Sequence, residues 1–451
     1  MEVIHVLLSF RVANHRSIKD EQQLRLIPVY DADRPEGTDW NAVPVVALFG
    51  ANASGKSNVV DALRFMARMV RASHRDAEPG GGIERYPFAL DQDSLNEPSW
   101  YVVDLLLRGV RHTYGFSVDS ERVLDEWLYS YPLGRKRKVF HRTGDEIEFG
   151  DGAPKRELDV IKNITEPNAL FISIAARSKQ EAVQPVYAWF SGSVLFRAGG
   201  ARSYGVSPAS IRLLEDPHRA PAVVELLRAA DLGIENAGVE RVEVMEEYSP
   251  GLRRLREAQR RGADGQAALF EDENPALSLR TVREVSRVWV EQRGRKGAVR
   301  LDLRDQSEGT RVLLDYAGPV LRALERGGLL VVDEVDASLH PRLTAHLIRL
   351  FQEPETNPKG AQLLLTTHDA SLLGRSGGEE ILKRDQVWFV EKDEHGETTL
   401  FPLSDFRPRL DENRERRYLG GSYGAVPFLN DERFTAAVVA RGERDDENAE
   451  T

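Results

Sequence analysis

The chain has no cysteine, which excludes disulfides and thiolate-held metals. It also has no apolar run near the ~20 residues that a membrane-spanning helix needs, so no membrane partner is expected. The apolar stretch Ile4–Phe10 lacks the basic flank and the length of a signal peptide, and it reads as a first strand. These absences fit a cytoplasmic protein. No heptad pattern persists through several repeats, so no long coiled coil is expected. Positive charge is in deficit: 61 Lys and Arg against 72 Asp and Glu give a net charge of −11. That argues against a surface coated by DNA, while leaving room for a local basic patch. With 451 residues, 41% hydrophobic and 29% charged, the chain is long enough for two or three compact lobes and a sizeable core.

The most informative segment is Gly50-Ala51-Asn52-Ala53-Ser54-Gly55-Lys56-Ser57, between the apolar run Val43–Phe49 and a helical pattern from Asn58. A strand, a glycine-rich loop and a helix start in that order make a phosphate-binding loop. Glycines let backbone N–H groups wrap the phosphates, and the helix N-terminus adds its dipole. Lys56 would reach the β- and γ-phosphates of ATP, and Ser57 would hold Mg²⁺.

Far downstream, Leu329-Leu330-Val331-Val332-Asp333-Glu334 reads as a buried parallel strand ending in two carboxylates. Asp333 would hold Mg²⁺ through water, and Glu334 would polarise the attacking water. More than half of the chain separates the two segments, far too much for one βαβ unit. Before the second stands Gln306-Ser307-Glu308-Gly309-Thr310, then an apolar-periodic stretch, Val312–Leu324. Ser-x-Gly at a helix N-terminus is another anion site. A helix of ~15 residues spans about 22 Å, which holds Ser307 away from its own Lys56. A second protomer could deliver it.

Together these segments resemble an ABC-type ATPase of the SMC, RecF and OLD branch. Gly50–Ser57 matches the Walker A loop, Ser307-Glu308-Gly309-Thr310 the signature motif and Asp333-Glu334 Walker B. Asp336-Ala337-Ser338-Leu339-His340-Pro341 matches the D-loop region, and Thr366-Thr367-His368 the switch histidine. Asn14-His15-Arg16-Ser17-Ile18 and Tyr418–Pro427 look like the single-chain ATPases of phage-defence operons, the RloA and AriA type.

The resemblance implies an α/β fold: an ABC-type ATPase head with a β-rich N-terminal lobe, an inserted helical lobe and a parallel-sheet C-terminal lobe. It implies catalytic roles for Glu334 and His368, and metal binding by Ser57 and Asp333. Nucleotide contacts would come from Gly50, Asn52, Ser54, Gly55, Lys56, Ser57, Asn58 and Asp336, with Ser307, Gly309 and Thr310. The Q-loop glutamine of that family has no clear match, and Gln180 stands in its approximate place. His340 could equally pack at a dimer interface.

Along the chain, 1–154 reads as an N-terminal ATPase lobe with the phosphate loop and hairpins, Trp100–Leu107 with Arg111–Val118 and Val123–Tyr131 with Lys138–Arg142. Residues 155–285 read as mostly helical, with a strand at Glu240–Met245 and an arginine-rich helix at Leu252–Arg261. Residues 286–405 return to α/β order, and 406–451 form a tail with an acidic end. The basic run Arg135–Lys138 and the arginine helix each read as a solvated face or as a nucleic-acid or partner contact. Asn14, His15 and Arg16 read as nucleotide contacts or as an ordinary surface turn.

The resulting expectation is an Mg²⁺-dependent ATP-hydrolysing switch, closing head-to-tail as a homodimer or higher oligomer and controlling a separate effector, a nuclease or toxin, in anti-phage defence. Tyr418–Phe428 and Arg253–Arg261 are the expected contact surfaces. The alternatives are a RecF-like DNA-repair ATPase and an ATP-binding scaffold with negligible turnover.

Overall fold

The computed structural model describes residues 5–35, 41–198, 206–230, 233–248, 279–337, 339–409, 412–427, 432–433 and 435–436. From the N-terminus, β1 (His5–Ala13) and β2 (Gln22–Arg25) precede β3 (Val45–Phe49) and α1 (Lys56–Asp76). The short α2 (Gln92–Asn96) leads to β4 (Ser99–Leu107), β5 (Val110–Val118), β6 (Val123–Tyr131), β7 (Arg137–Thr143) and β8 (Glu146–Phe149). Next come α3 (Lys155–Asn163), α4 (Phe171–Arg177), α5 (Gln184–Ala188) and β9 (Val194–Ala198). The middle holds α6 (Pro208–Glu215), α7 (Ala220–Ala229), β10 (Ile234–Tyr248), β11 (Leu279–Gly294), β12 (Gly297–Asp302) and α8 (Glu308–Arg326). The last part contains β13 (Leu329–Asp333), α9 (Pro341–Gln352), β14 (Gln362–Thr367), the two-residue β15 (Arg375–Ser376) and β16 (Glu379–Glu380), β17 (Val387–Lys392), β18 (Thr398–Pro402) and α10 (Arg414–Leu419).

The chain divides into two compact units, Met1–Arg202 with Pro319–Thr451, and Ser203–Gly318. The larger unit carries two sheets. One has the order β18-β17-β3-β14-β13-β9, parallel from β17 to β9 with β18 antiparallel at the edge. Its central strands are continuous apolar runs, as burial on both faces requires: every residue of β3 and β14 is buried. The other sheet is antiparallel, with seven strands in the order β2-β1-β4-β5-β6-β7-β8.

Here the period-2 alternation separates two faces. Phe10, Val12, Tyr101, Val103, Leu105, Tyr114, Phe116, Leu128 and Phe140 enter a core shared with α1 and with Val46, Leu48, Val331 and Leu364 of the parallel sheet. Gln362 stitches the sheets together. Its amide accepts from Leu7 N at 2.6 Å and donates to Leu7 O at 3.0 Å, beside the bulge of β1.

The smaller unit differs from the expected helical lobe. Residues 155–230 are largely helical, but β10 and β11 form a hairpin of 15- and 16-residue strands, extended by β12. The strand read at Glu240–Met245 is part of β10. Arg253–Arg261 lies outside the described residues. Against 155–285 for the inserted lobe, the compact unit starts and ends later in the chain. The division falls within α8, at Pro319. A proline there removes the N–H that would bond to Asp315 O; that carbonyl instead accepts from Ser210 Oγ at 3.2 Å, and Gly318 N donates to the same hydroxyl at 2.9 Å.

Candidate functional site

Three neighbouring strands of the parallel sheet, β3, β14 and β13, end side by side, and the motif residues follow their last positions. The carboxyl ends of strands in an open α/β sheet are where ligands bind. After β3 the chain turns through Ala53 at φ 63° and Gly55 at φ 109° before α1 starts at Lys56. Gly55 caps α1 without any side-chain bond, so the N-terminal N–H groups and their dipole point into the loop. Close approach requires Gly50 as well: a Cβ there would lie 2.3 Å from Val390 O of β17.

Lys56 Nζ donates to Gly50 O at 2.7 Å and Ala51 O at 2.9 Å, curled within its own loop. Burial lowers the Lys56 pKa, and the carboxylates of Asp336, Asp333 and Glu334 pull it back up. Ser57 Oγ donates to Asp333 Oδ1 at 3.0 Å, which joins the phosphate loop to the end of β13. Thr366 Oγ1 donates to the same oxygen at 2.7 Å and accepts from Glu334 N at 2.7 Å. Glu334 is held at φ 55°, in the left-handed region that ordinary residues avoid. The Asp336 side chain is buried; its Oδ2 lies 2.9 Å from His368 Nδ1, and its Oδ1 has no hydrogen-bond partner among the described residues. The His368 side chain is exposed.

These residues fit a magnesium nucleotide. Ser57, Asp333, Glu334 and Asp336 are hard oxygen donors, as Mg²⁺ prefers. The buried Ser54 Oγ and Asp336 Oδ1 both lack partners, so polar atoms at the loop are left for a ligand to satisfy. Among the described residues no group of three or more His, Asp or Glu is assembled as a metal cage. That suits an ion held by one or two side chains plus phosphate oxygens.

The signature segment belongs to the smaller unit. Ser307 precedes α8 and caps it: Thr310 N donates to Ser307 Oγ at 3.2 Å, and the two hydroxyls lie 2.8 Å apart. Ser307 itself is exposed, while Gly309 is half-buried and Thr310 is buried. Gln180, the Q-loop stand-in, donates to Glu157 Oε2 at 3.3 Å. Ser338 lies outside the described residues. His340 caps α9, with its Nδ1 accepting from Arg342 N at 3.2 Å.

Other side chains at the loop have structural duties that their sequence positions did not reveal. Thr398, on β18, donates from Oγ1 to Ser54 O at 2.9 Å and contacts Ser17 Oγ at 2.7 Å; Asn58 Nδ2 donates to that Ser17 hydroxyl at 2.5 Å. Thr366 had a signal, since it precedes Thr367-His368. Thr398 had none.

The Asn14-His15-Arg16 segment is not a plain surface turn. Asn14 is buried and binds Ser94 O and Glu97 O at 2.7 and 2.8 Å. Buried His15 bridges Tyr101 Oη and Asp61 Oδ2 at 2.9 and 3.1 Å. Arg16 Nε donates to Asp61 at 2.5 Å and stands 4.4 Å from the Tyr86 ring centroid.

In the segment from Tyr418, expected to be a contact surface, Tyr418, Tyr423 and Ala425 are buried, while Leu419, Gly420, Gly421, Ser422 and Pro427 are exposed. Tyr418 and Tyr423 are 4% and 1% exposed and stack on Phe389 at 5.5 and 5.4 Å, while Tyr418 also meets Phe49, the residue before the phosphate loop, at 6.0 Å. Burial pushes the Tyr418 phenol up to about 12. Phe428 lies outside the described residues, and no described helix is long and apolar enough to cross a membrane.

The model of a protein family described as "AAA domain, putative AbiEii toxin, Type IV TA system" matches residues 45–374, a span that includes the phosphate loop, the signature segment, Asp333-Glu334 and His368. A comparison with curated proteins gave no match. Among solved structures, an SMC head bound to the C-terminal winged-helix domain of ScpA is 12% identical, at a TM-score of 0.39, over 89% of this chain and 99% of that one. The SMC head domain with an extended coiled coil, bound to the C-terminal domain of ScpA derived from Pyrococcus furiosus, is 11% identical at a TM-score of 0.43, over 90% and 98%. At such scores these two likenesses carry no argument about assembly or partners.

Proposed function

The chain belongs to that AAA-domain family, a family of nucleotide-binding ATPase domains, and on this premise we propose that it is an Mg²⁺-dependent ATP-hydrolysing switch. The observation that carries the reading is the bonded series Ser57–Asp333–Thr366–Glu334, which holds the end of the phosphate loop against the end of β13. In it Thr366 fixes the Glu334 backbone. The Glu334 carboxylate accepts the hydrogen bond of a water aimed at the γ-phosphorus and takes its proton as the P–O bond to the β-phosphate breaks. Lys56 exchanges the Gly50 and Ala51 carbonyls for phosphate oxygens, so its charge offsets the charge that develops there. Ser57 and Asp333 would hold Mg²⁺, which would supply positive charge against the phosphate oxygens. His368, exposed and anchored by Asp336, reports the γ-phosphate.

Ser307, exposed at the start of α8, serves the site of a second copy, so that ATP closes a head-to-tail dimer. The switch then controls a separate effector, a nuclease or toxin, in anti-phage defence; this part rests on the resemblance to the RloA and AriA type. The test is Glu334→Gln, which keeps the shape of the side chain but removes the proton acceptor. It should bind ATP as the wild type does and lose nearly all turnover, while Lys56→Ala should lose binding. Wild-type hydrolysis by Glu334→Gln would refute the assignment.

A further inference from the structure

The seven-stranded sheet has a second face that the ATP site does not use. Opposite its core-facing residues, registered pairs place Thr113 beside Tyr129, Gly115 beside Trp127, Arg111 beside Tyr131 and Trp127 beside His141. The helices α1, α4 and α5 meet this sheet on its inner side and share the core with its inner side chains. Trp127, Tyr129 and Tyr131 are all half-buried, and they recur along β6 at every second residue, about 6.6 Å apart.

Trp127 lies flat across the sheet. A Cβ on Gly115 would come within 2.5 Å of its Cζ2, so only a glycine leaves room for the indole there. His141 stands edge-on to both Trp127 and Tyr129, with centroids 6.5 Å from each. Flat rings on a sheet are an adhesive surface for unstacked bases.

The charges fit the same ligand. Lys136 Nζ sits 3.8 Å from the Tyr129 centroid, and the Arg111 guanidinium 5.0 Å from that of Tyr131. The carboxylates of this face are already engaged: Asp104 with Arg111, Glu148 with Lys138, Glu146 with Lys162, and Asp125 with Thr143. Arg135, Lys136 and Arg137 are exposed where β6 passes into β7, and Arg137 donates to the Asp151 carbonyl. So the face presents rings and exposed cations together, with Asp104, Glu148 and Glu146 paired with Arg111, Lys138 and Lys162.

We infer that the outer face of this sheet binds single-stranded nucleic acid, stacking bases on Trp127 and on Tyr129, whose ring Lys136 leaves for a phosphate, and holding the backbone through Arg111 and Arg135–Arg137. Half-buried rings on a shallow face cannot reach bases inside a duplex, so single strands are preferred. Sequence preference is weak, because every base has a stacking face. The site is independent of the ATP reading and needs no nucleotide.

Fluorescence anisotropy of labelled dT15, rU15 and a 15-bp duplex, without ATP and at two salt concentrations, tests it; the two single strands separate DNA from RNA as the source. At least one single strand should bind ten-fold more tightly than the duplex. Trp127→Ala and Tyr129→Ala should each weaken it by about five-fold or more, and Trp127→Phe far less. Arg135→Ala with Arg137→Ala should flatten the salt dependence. Circular dichroism melts confirm folding, and Tyr129→Leu, which keeps apolar cover without a ring, carries the test if Trp127→Ala does not fold. Unchanged affinity in well-folded ring variants, equal binding of the duplex, or no single-strand binding by the wild type overturns the inference.

Discussion

Thr398 fills the space that a side chain on Gly55 would need: a Cβ there would lie 2.2 Å from Thr398 Oγ1. The same hydroxyl donates to Ser54 O, so a strand near the end of the chain fixes the curvature of the phosphate loop. Gly55→Ala should therefore weaken ATP binding by ~10-fold or more, because it adds both this overlap and a positive-φ cost. Thr398→Val keeps the volume but removes the bonds. Its KM for ATP should rise about three- to ten-fold with a smaller change in kcat. Steady-state kinetics decide; a normal KM in Thr398→Val would show the brace to be idle.

Glu334 offers a test that separates strain from chemistry. Both Glu334→Ala and Glu334→Gly should abolish turnover. Because φ is 55° at this position, the glycine variant should be more stable than the alanine variant by about 1 kcal/mol. Denaturant melts without nucleotide measure the difference, and equal stabilities would mean that the left-handed geometry is not retained in solution.

Complementation addresses the second copy. Ser307→Arg places a bulky cation at the start of α8 and should block ATP-driven closure while sparing the nucleotide binding of a single chain. Lys56→Ala is inactive for a different reason. An equimolar mixture should regain about a quarter of wild-type activity, since half the dimers are mixed and each has one intact composite site. Full activity in Ser307→Arg alone, at an unchanged oligomer size, would instead indicate a site built within one chain.

Acid should loosen the support of α1 in two stages. Burial pushes the Asp61 carboxyl up, but hydrogen bonds from His15 and Arg16 and their charges more than offset this and hold it at about 2, below the ordinary 3.8. A depressed carboxylate stabilises the fold above its unfolded value, so its contribution of about 2 kcal/mol is lost as pH falls from ~4 toward 2. Burial lowers the pKa of His15 below 6.5, opposed by Asp61, which makes the fold lose stability already as pH drops below ~6.5. Asp61→Asn should flatten the lower stage of a melting-temperature profile and leave other acid effects in place. An unaltered profile would assign the acid sensitivity elsewhere.

The phosphate loop, the paired carboxylates after β13 and His368 were legible because each combines a short apolar strand with residues of restricted chemistry. The hairpins β4–β5 and β6–β7 were legible from alternation around turns. Thr398 was not: its role depends on contacts with Ser17 and Ser54, 381 and 344 positions away, and an isolated threonine carries no local sign of them. The long β10–β11 hairpin was legible only in part, as the strand at Glu240–Met245, for another reason. Its alternation is filled with glutamate and arginine, good helix formers, and the β-branched signal is spread over Val239, Val242 and Val244 on one strand and Val282, Val285, Val288 and Val290 on the other. The burial of Tyr418 and Tyr423 was not legible, because it depends on turns at the glycines around them. Those glycines form the turns that bring Tyr423 back onto Phe389.

The position of β3 between β14 and β17 governs how the protein can be made. The strand that carries the phosphate loop leaves the ribosome early, yet both of its neighbours are encoded more than three hundred residues later. At ~5–20 residues per second its two edges stay unpaired for tens of seconds. Throughout that interval Val45–Phe49 is an apolar strand open to pairing with any other nascent chain. Codon-level pausing before Gln362 should lower the soluble yield more than pausing after Pro402, and a holdase present during translation should narrow the gap.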